Sequence, residues 1–152
     1  MIQRPQTLFL LAVLFLSLLM LTGPLAVVTA GGHEVILKAA GVYDLSGLKL
    51  DISTWPMTVL IIGVALLMVL DILSYRNRIR QMRLSVFLIF LFAGMAGMIF
   101  YYIYFIRQRF EEPSTIHQWR IVVPAIAIIL LYLAFRGIRR DELLVKAYER
   151  IR

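Results

Sequence analysis

Four long runs of apolar residues, divided by three polar connections, constrain this 152-residue chain more than any other feature. A helix rises about 1.5 Å per residue, so roughly 20 apolar residues cover the ~30 Å hydrocarbon core of a bilayer. The runs lie at about 7–30, 57–75, 84–106 and 120–136, the last being the shortest. A soluble helix keeps one polar face, whereas LFLLAVLFLSLLML and PAIAIILLYLAF are apolar on every side. A hydrophobic fraction of 61% and a charged fraction of 16% fit the same class. The expected fold is an all-α membrane protein, with a single four-helix transmembrane domain over residues 1–152. A small outer loop at 31–56 and an amphipathic cytoplasmic C-terminal helix in the tail 137–152 complete it.

Lys and Arg in short connections stay on the cytoplasmic side. The N-terminal end, the connection from Arg76 to Arg83 and the tail from Arg136 together hold eleven basic residues, against five in the other two connections. Both termini are therefore expected in the cytoplasm. Acidic residues sharpen the contrast, leaving the whole formal charge of +7 on the inner side. Arg4, the apolar core and the Gly23-Pro24 breaker also resemble a cleavable signal peptide. Retention is the expectation, because the run exceeds the roughly 7 to 15 residues of a signal core. Pro24 is expected to kink or end the span near its outer end.

Aromatic residues stand near the ends of the runs: Trp55, Trp119, Tyr101, Tyr102, Tyr104 and Phe105 on the outer side, and Tyr75, Tyr132 and Phe135 on the inner. They read as interfacial belts. In the outer loop, EVILKAAGVYDLSGLKLDIS is rich in β-branched residues, with Gly41 and Ser46-Gly47 as turn signals. One or two short strands, or a hairpin lying against the bundle, are expected there. So short a piece cannot form an independent core.

The sequence holds no catalytic constellation. It has no cysteine, and its two histidines, His33 and His117, lack metal-ligand spacing, so no metal or cofactor is expected. There is no Gly-rich phosphate loop. Asp71 is the one acidic residue inside an apolar run, and an intramembrane carboxylate is a functional candidate by default. Five residues separate it from Arg76, so an ion pair between Asp71 and Arg76, with Arg78 and Arg136 as further partners, is the expected structural role; an ion or proton site is the alternative. Arg78, Arg80, Arg83, Arg139 and Arg140 are candidates for contacts with anionic lipid or a partner, without invoking nucleic acid. In the tail, Leu143, Leu144, Ala147, Tyr148 and Ile151 recur at helical spacing. Ala93 and Gly97, four residues apart, form a small-residue patch suited to close helix packing, chiefly within the chain, with Gly63 and Ala65 as counterparts.

Three stretches carry a resemblance: MIQRPQT at Met1–Thr7, NRIRQMRL at Asn77–Leu84 and RGIRRDELLV at Arg136–Val145. They resemble a family of small four-span proteins of Bacteroidota, known only as a domain of unknown function, with Pro5 standing where an aliphatic residue is expected. The resemblance implies a bacterial inner membrane and four retained spans, and brings no activity to carry over. Two functions remain. The first is a non-catalytic structural or accessory subunit that contacts membrane lipids and other membrane subunits or itself. The second is a small oligomeric transporter or channel using Asp71.

Overall fold

A computed structural model describes residues 5–30, 33–44, 50, 52–109, 115–116 and 118–150. Its helices are α1 (Pro5–Leu19), α2 (Trp55–Leu73), α3 (Arg78–Arg109) and α4 (Val123–Arg150), and its strands are β1 (Pro24–Ala30), β2 (His33–Lys38), β3 (Gly41–Asp44) and β4 (Thr115–Ile116). Three helical segments, Trp55–Leu73, Arg78–Gln108 and Trp119–Val145, are long and apolar enough to cross a membrane, and α1 is a shorter apolar helix.

Each helix packs against its neighbours in sequence, and α4 closes back on α1. Hydrogen bonds fix the sense of the packing. Gln6 near the start of α1 meets Asp141 late in α4, and Arg78 at the start of α3 reaches the same residue. At the other end, Tyr102 late in α3 donates to the Ser53 carbonyl just ahead of α2. The result is an up-down-up-down bundle with a sheet end and an arginine end. Buried residues recur at three- and four-residue spacing, as Met57, Ile61, Val64 and Met68 in α2 and Leu88, Phe92, Met95 and Ile99 in α3.

The first apolar run departs from expectation. The helix expected through residue 30 ends at Leu19, and Pro24–Ala30 is a strand. Leu21 and Thr22 donate backbone hydrogen bonds three residues back, to Leu18 and Leu19, which tightens the last turn. The Thr22 hydroxyl occupies the Leu19 carbonyl as well. Pro24 then lacks the N–H that a helix needs, and the β-branched Val27, Val28 and Thr29 favour extended backbone. Gln118 and Arg120, just before α4, both donate to the Pro24 carbonyl. Residues 6–24 therefore run alongside the same length of bundle as residues 120–141 do.

The strands form one antiparallel sheet in the order β3-β2-β1-β4, with β4 only two residues long. Val28 pairs with Val35, and Leu37 lies between Ala26 and Val42, so these five buried side chains make the face packed on the bundle. The expected hairpin is present as β2 and β3, joined through Ala39-Ala40. Thr54 and Thr58, at the start of α2, both donate hydroxyl hydrogen bonds to the Ala39 carbonyl and hold the turn on the bundle. The turn signal at Ser46-Gly47 lies outside the described residues.

At the arginine end the tail is helical as far as Arg150, as the continuation of α4. The connection expected between the second and third runs is largely helical too, since only a 3-10 turn, Ser74–Arg76, and Asn77 divide α2 from α3.

Candidate functional site

The interior of the bundle changes character toward the arginine end. From the sheet end inward it is lined mainly by apolar side chains; Ser17, its hydroxyl bonded to the Leu14 carbonyl of its own helix, and Tyr102, its hydroxyl bonded to the Ser53 carbonyl, are buried there. Nearer the arginine end, Asp71, Ser74, Gln81, Ser85 and Gln6 are all buried.

Asp71 stands at this change. It continues the buried stripe of α2 beyond Met68, three residues on, and so is forced inward by the same spacing that packs the core. Its side chain is fully enclosed, at 0% exposure. Ser85 of α3 donates a hydrogen bond of 3.0 Å to Asp71 Oδ2, while Asp71 Oδ1 is buried with no hydrogen-bond partner. One turn further along each helix stand Ser74 and Gln81, which makes a second polar rung between α2 and the start of α3. Ser74 bonds to the Leu70 carbonyl at 2.7 Å. A third layer follows: Gln6 donates to Asp141 Oδ2 and Arg78 Nη1 donates to the Asp141 carbonyl at 3.0 Å. Four helices thus contribute polar groups to one end of the core.

The expected ion pair between Asp71 and Arg76 involves a side chain outside the described residues. The observed partner of Asp71 is the Ser85 hydroxyl; Arg78 is turned to Asp141, and Arg136 is exposed. A buried carboxylate with one compensated oxygen is costly, and the uncompensated atom is what makes the position chemically notable. Sequence reasoning missed Ser85 because a serine in an apolar run attracts no attention. The signal was nevertheless present, since Ser85 precedes Leu88 and Phe92 by three and seven residues on the same helical stripe.

The other candidates divide. Arg80, Arg83, Arg139 and Arg140 are exposed around the arginine end, and Arg78 is half-buried. Ala93 and Gly97 are exposed, and a Cβ built on Gly94, Gly97 or Gly63 would meet nothing. Among the described residues nothing packs on this patch: the stripe Met95, Ile99, Ile103 faces the core, and Ala93, Gly94 and Gly97 are exposed on the other side of α3. Among the aromatics, Trp55, Trp119, Tyr101 and Tyr104 are exposed, but Tyr102 is buried, its hydroxyl held by Ser53. Leu143, Leu144 and Val145 are exposed on the projecting part of α4, whereas the side chains of Ala147 and Tyr148, with all of Ile151, lie outside the described residues. So do His117 and the side chain of His33.

A second polar feature sits at the sheet end. The Arg120 guanidinium lies 5.4 Å from the centre of the Trp119 ring and donates to the Pro24 carbonyl at 3.4 Å. It packs so closely on Gly23 that an added Cβ would stand 1.9 Å from Nη1. A side chain there would require the end of the flexible Arg120 side chain to move aside.

The sequence profile of the family described as Domain of unknown function (DUF4293) matches residues 2–151. The chain belongs to this family. A search of curated proteins returned no match. The DUF4293 region takes in all four helices and the sheet, so the polar layers at the arginine end and the Gly23–Arg120 contact lie within it.

Proposed function

We propose that this DUF4293 protein is a non-catalytic integral membrane protein of the bacterial inner membrane that serves as a structural or accessory subunit of a larger assembly. It crosses the bilayer four times with both termini in the cytoplasm. One observation carries the membrane reading: the outward faces of all four helices are as apolar as the core. Phe15 of α1, Leu66 of α2, Phe90 of α3 and Ile129 of α4 are 65%, 62%, 71% and 60% exposed. Exposed apolar surface on this scale needs a covering phase other than water, and a continuous belt around a bundle is suited to lipid. Although α1 alone is short for a crossing, the common extent of residues 6–24 and α4 supports a fourth one, completed by the non-helical residues 20–23.

The excess of basic residues at the arginine end favours that end in the cytoplasm. The accessory role is supported by the surface there. Arg80, Arg83, Arg136, Arg139 and Arg140 are exposed, and α4 carries exposed leucines near its end, which suits contact with lipid headgroups and another subunit. The transporter or channel alternative finds less support, because the core above Asp71 is almost wholly apolar within one chain.

The cysteine-free sequence makes the topology testable without a background. Single cysteines at Arg80, Leu144 and Lys38 should be labelled by an impermeant maleimide from the cytoplasmic side for the first two and from the outer side for the third. Labelling of all three from one side would refute the arrangement. Affinity purification in mild detergent tests the role itself: reproducible co-purifying membrane subunits are expected, whereas a homogeneous homo-oligomer that conducts ions in liposomes would overturn it.

A further inference from the structure

We infer that Asp71 and Ser85 form a binding site for a monovalent cation, a proton or an alkali-metal ion, exchanged only through the arginine end of the bundle. Asp71 is wholly enclosed, its Oδ2 is held by Ser85, and its Oδ1 is an enclosed oxygen without a donor. A charge in such a setting is stable only with a counter-charge or donor at that oxygen. The ligand set is hard oxygen, which suits a proton or an alkali ion and not a soft metal.

Among the described side chains around Asp71 none is a competing cation; the side chain of Arg76 lies outside them. The helices packed against α2 are α1 and α3. From Gln6 to Leu19, α1 carries no ionisable group, and on α3 Arg78 is committed to Asp141 while Arg80 and Arg83 are exposed. Tyr75, in the turn after α2, is exposed.

The path follows from the polar rungs. Ser74, in the turn that follows α2, and Gln81 of α3 stand about one turn nearer the arginine end, with Gln6 and Asp141 beyond them. In the opposite direction the facing residues are Met68 and Val64 of α2 and Leu88 and Phe92 of α3, all fully buried and apolar. An ion loses its hydration along such a column with nothing in exchange. The site is therefore entered and left by one end, and its occupancy reports the ion content of that side without conducting. This inference rests on the buried site and stands apart from the accessory role.

Dicyclohexylcarbodiimide, which enters membranes and reacts with protonated carboxyl groups in apolar surroundings, tests it on the full chain in lipid nanodiscs. An adduct mapped to Asp71 by mass spectrometry is expected to rise as pH falls. If sodium or potassium chloride suppresses it and choline chloride does not, the bound cation is the alkali ion; if neither does, it is the proton. No adduct at any pH, or one indifferent to both pH and salt, overturns the inference. Ser85→Ala should weaken cation or pH protection roughly tenfold, as the loss of one hydrogen bond to a charged group implies. Because the wild-type chain is itself the main reagent, a folding defect in any variant leaves the result decisive. Co-purification of partner subunits, whatever its outcome, does not bear on it.

Discussion

Replacing Gly23 with alanine places a methyl group where the Arg120 guanidinium now lies. The new Cβ would stand 1.9 Å from Nη1, 2.5 Å from Cζ and 2.8 Å from Nη2. Restoring ordinary contact of about 3.5 Å requires the guanidinium to withdraw by roughly 1.5 Å. The bond from Nη1 to the Pro24 carbonyl is already 3.4 Å long and cannot survive that movement. Gln118, 3.2 Å from the same carbonyl, remains to satisfy it. The loss is therefore one charge-assisted hydrogen bond of poor geometry plus the packing of the guanidinium on the backbone, together about 1–2 kcal/mol. Equilibrium unfolding in mixed detergent micelles, followed by tryptophan fluorescence, reads this directly, since Trp119 lies beside Arg120. The decisive form is a double-mutant cycle with Arg120→Ala. Gly23→Ala should cost about 1–2 kcal/mol in the wild-type background and close to nothing when Arg120 is absent. Additivity of the two substitutions to within about 0.5 kcal/mol would refute the contact as the reason for glycine at this position.

Other outcomes follow from the same geometry. Ser85→Ala leaves Asp71 without its observed donor and should lower stability by about 1–3 kcal/mol, whereas Asp71→Leu with Ser85→Ala should recover most of the loss, because an apolar pair needs no partner; the same micelle unfolding assay measures both. Thr54→Val combined with Thr58→Val deprives the Ala39 carbonyl of both hydroxyl donors and should cost about 1–2 kcal/mol, with faster proteolysis between β2 and β3 as a second readout. Gly97→Ala meets open space and should stabilise the isolated chain by up to about 1 kcal/mol through helix propensity; a loss of stability accompanied by dissociation on a sizing column would show that this face instead packs against a second copy.

Much of the architecture was legible in the sequence because uniform apolarity over a helix length has few other solutions. The second, third and fourth runs are helices, Pro56 sits in the first turn of α2 where its missing N–H is harmless, and the β-branched outer loop yields the β2–β3 hairpin. The first run was misread for a physical reason. Its last part is apolar like the rest, and a strand packed on a core gives the same composition as a buried helix. Pro24 and the Val27-Val28-Thr29 sequence held the distinction, and their local preferences prevail because β2 supplies a pairing partner.

The carboxylate illustrates the limit at the site. Sequence spacing singled out Asp71 and suggested nearby arginines, since residues close in sequence are the only neighbours that spacing can reveal. The observed partner, Ser85, is on another helix, and Gln6 meets Asp141 across the whole chain. Helix periodicity could say which side of α2 Asp71 shares with Met68, but only the rotation of α3 against it brings a hydroxyl to that side. The same holds for Ala93 and Gly97, whose spacing was suited to packing and whose direction depended on which stripe of α3 took the core.

What the sequence determined alone was the apolar helices, the interruption at Gly23-Pro24 and the gathering of arginines in alternate connections, all of them local or compositional properties. The tertiary structure decided which polar residues are enclosed together, that the Arg120 guanidinium lies against Gly23, and which small residues remain uncovered. Those depend on the relative rotation and height of separate helices, and such quantities are set by the packing of the whole core.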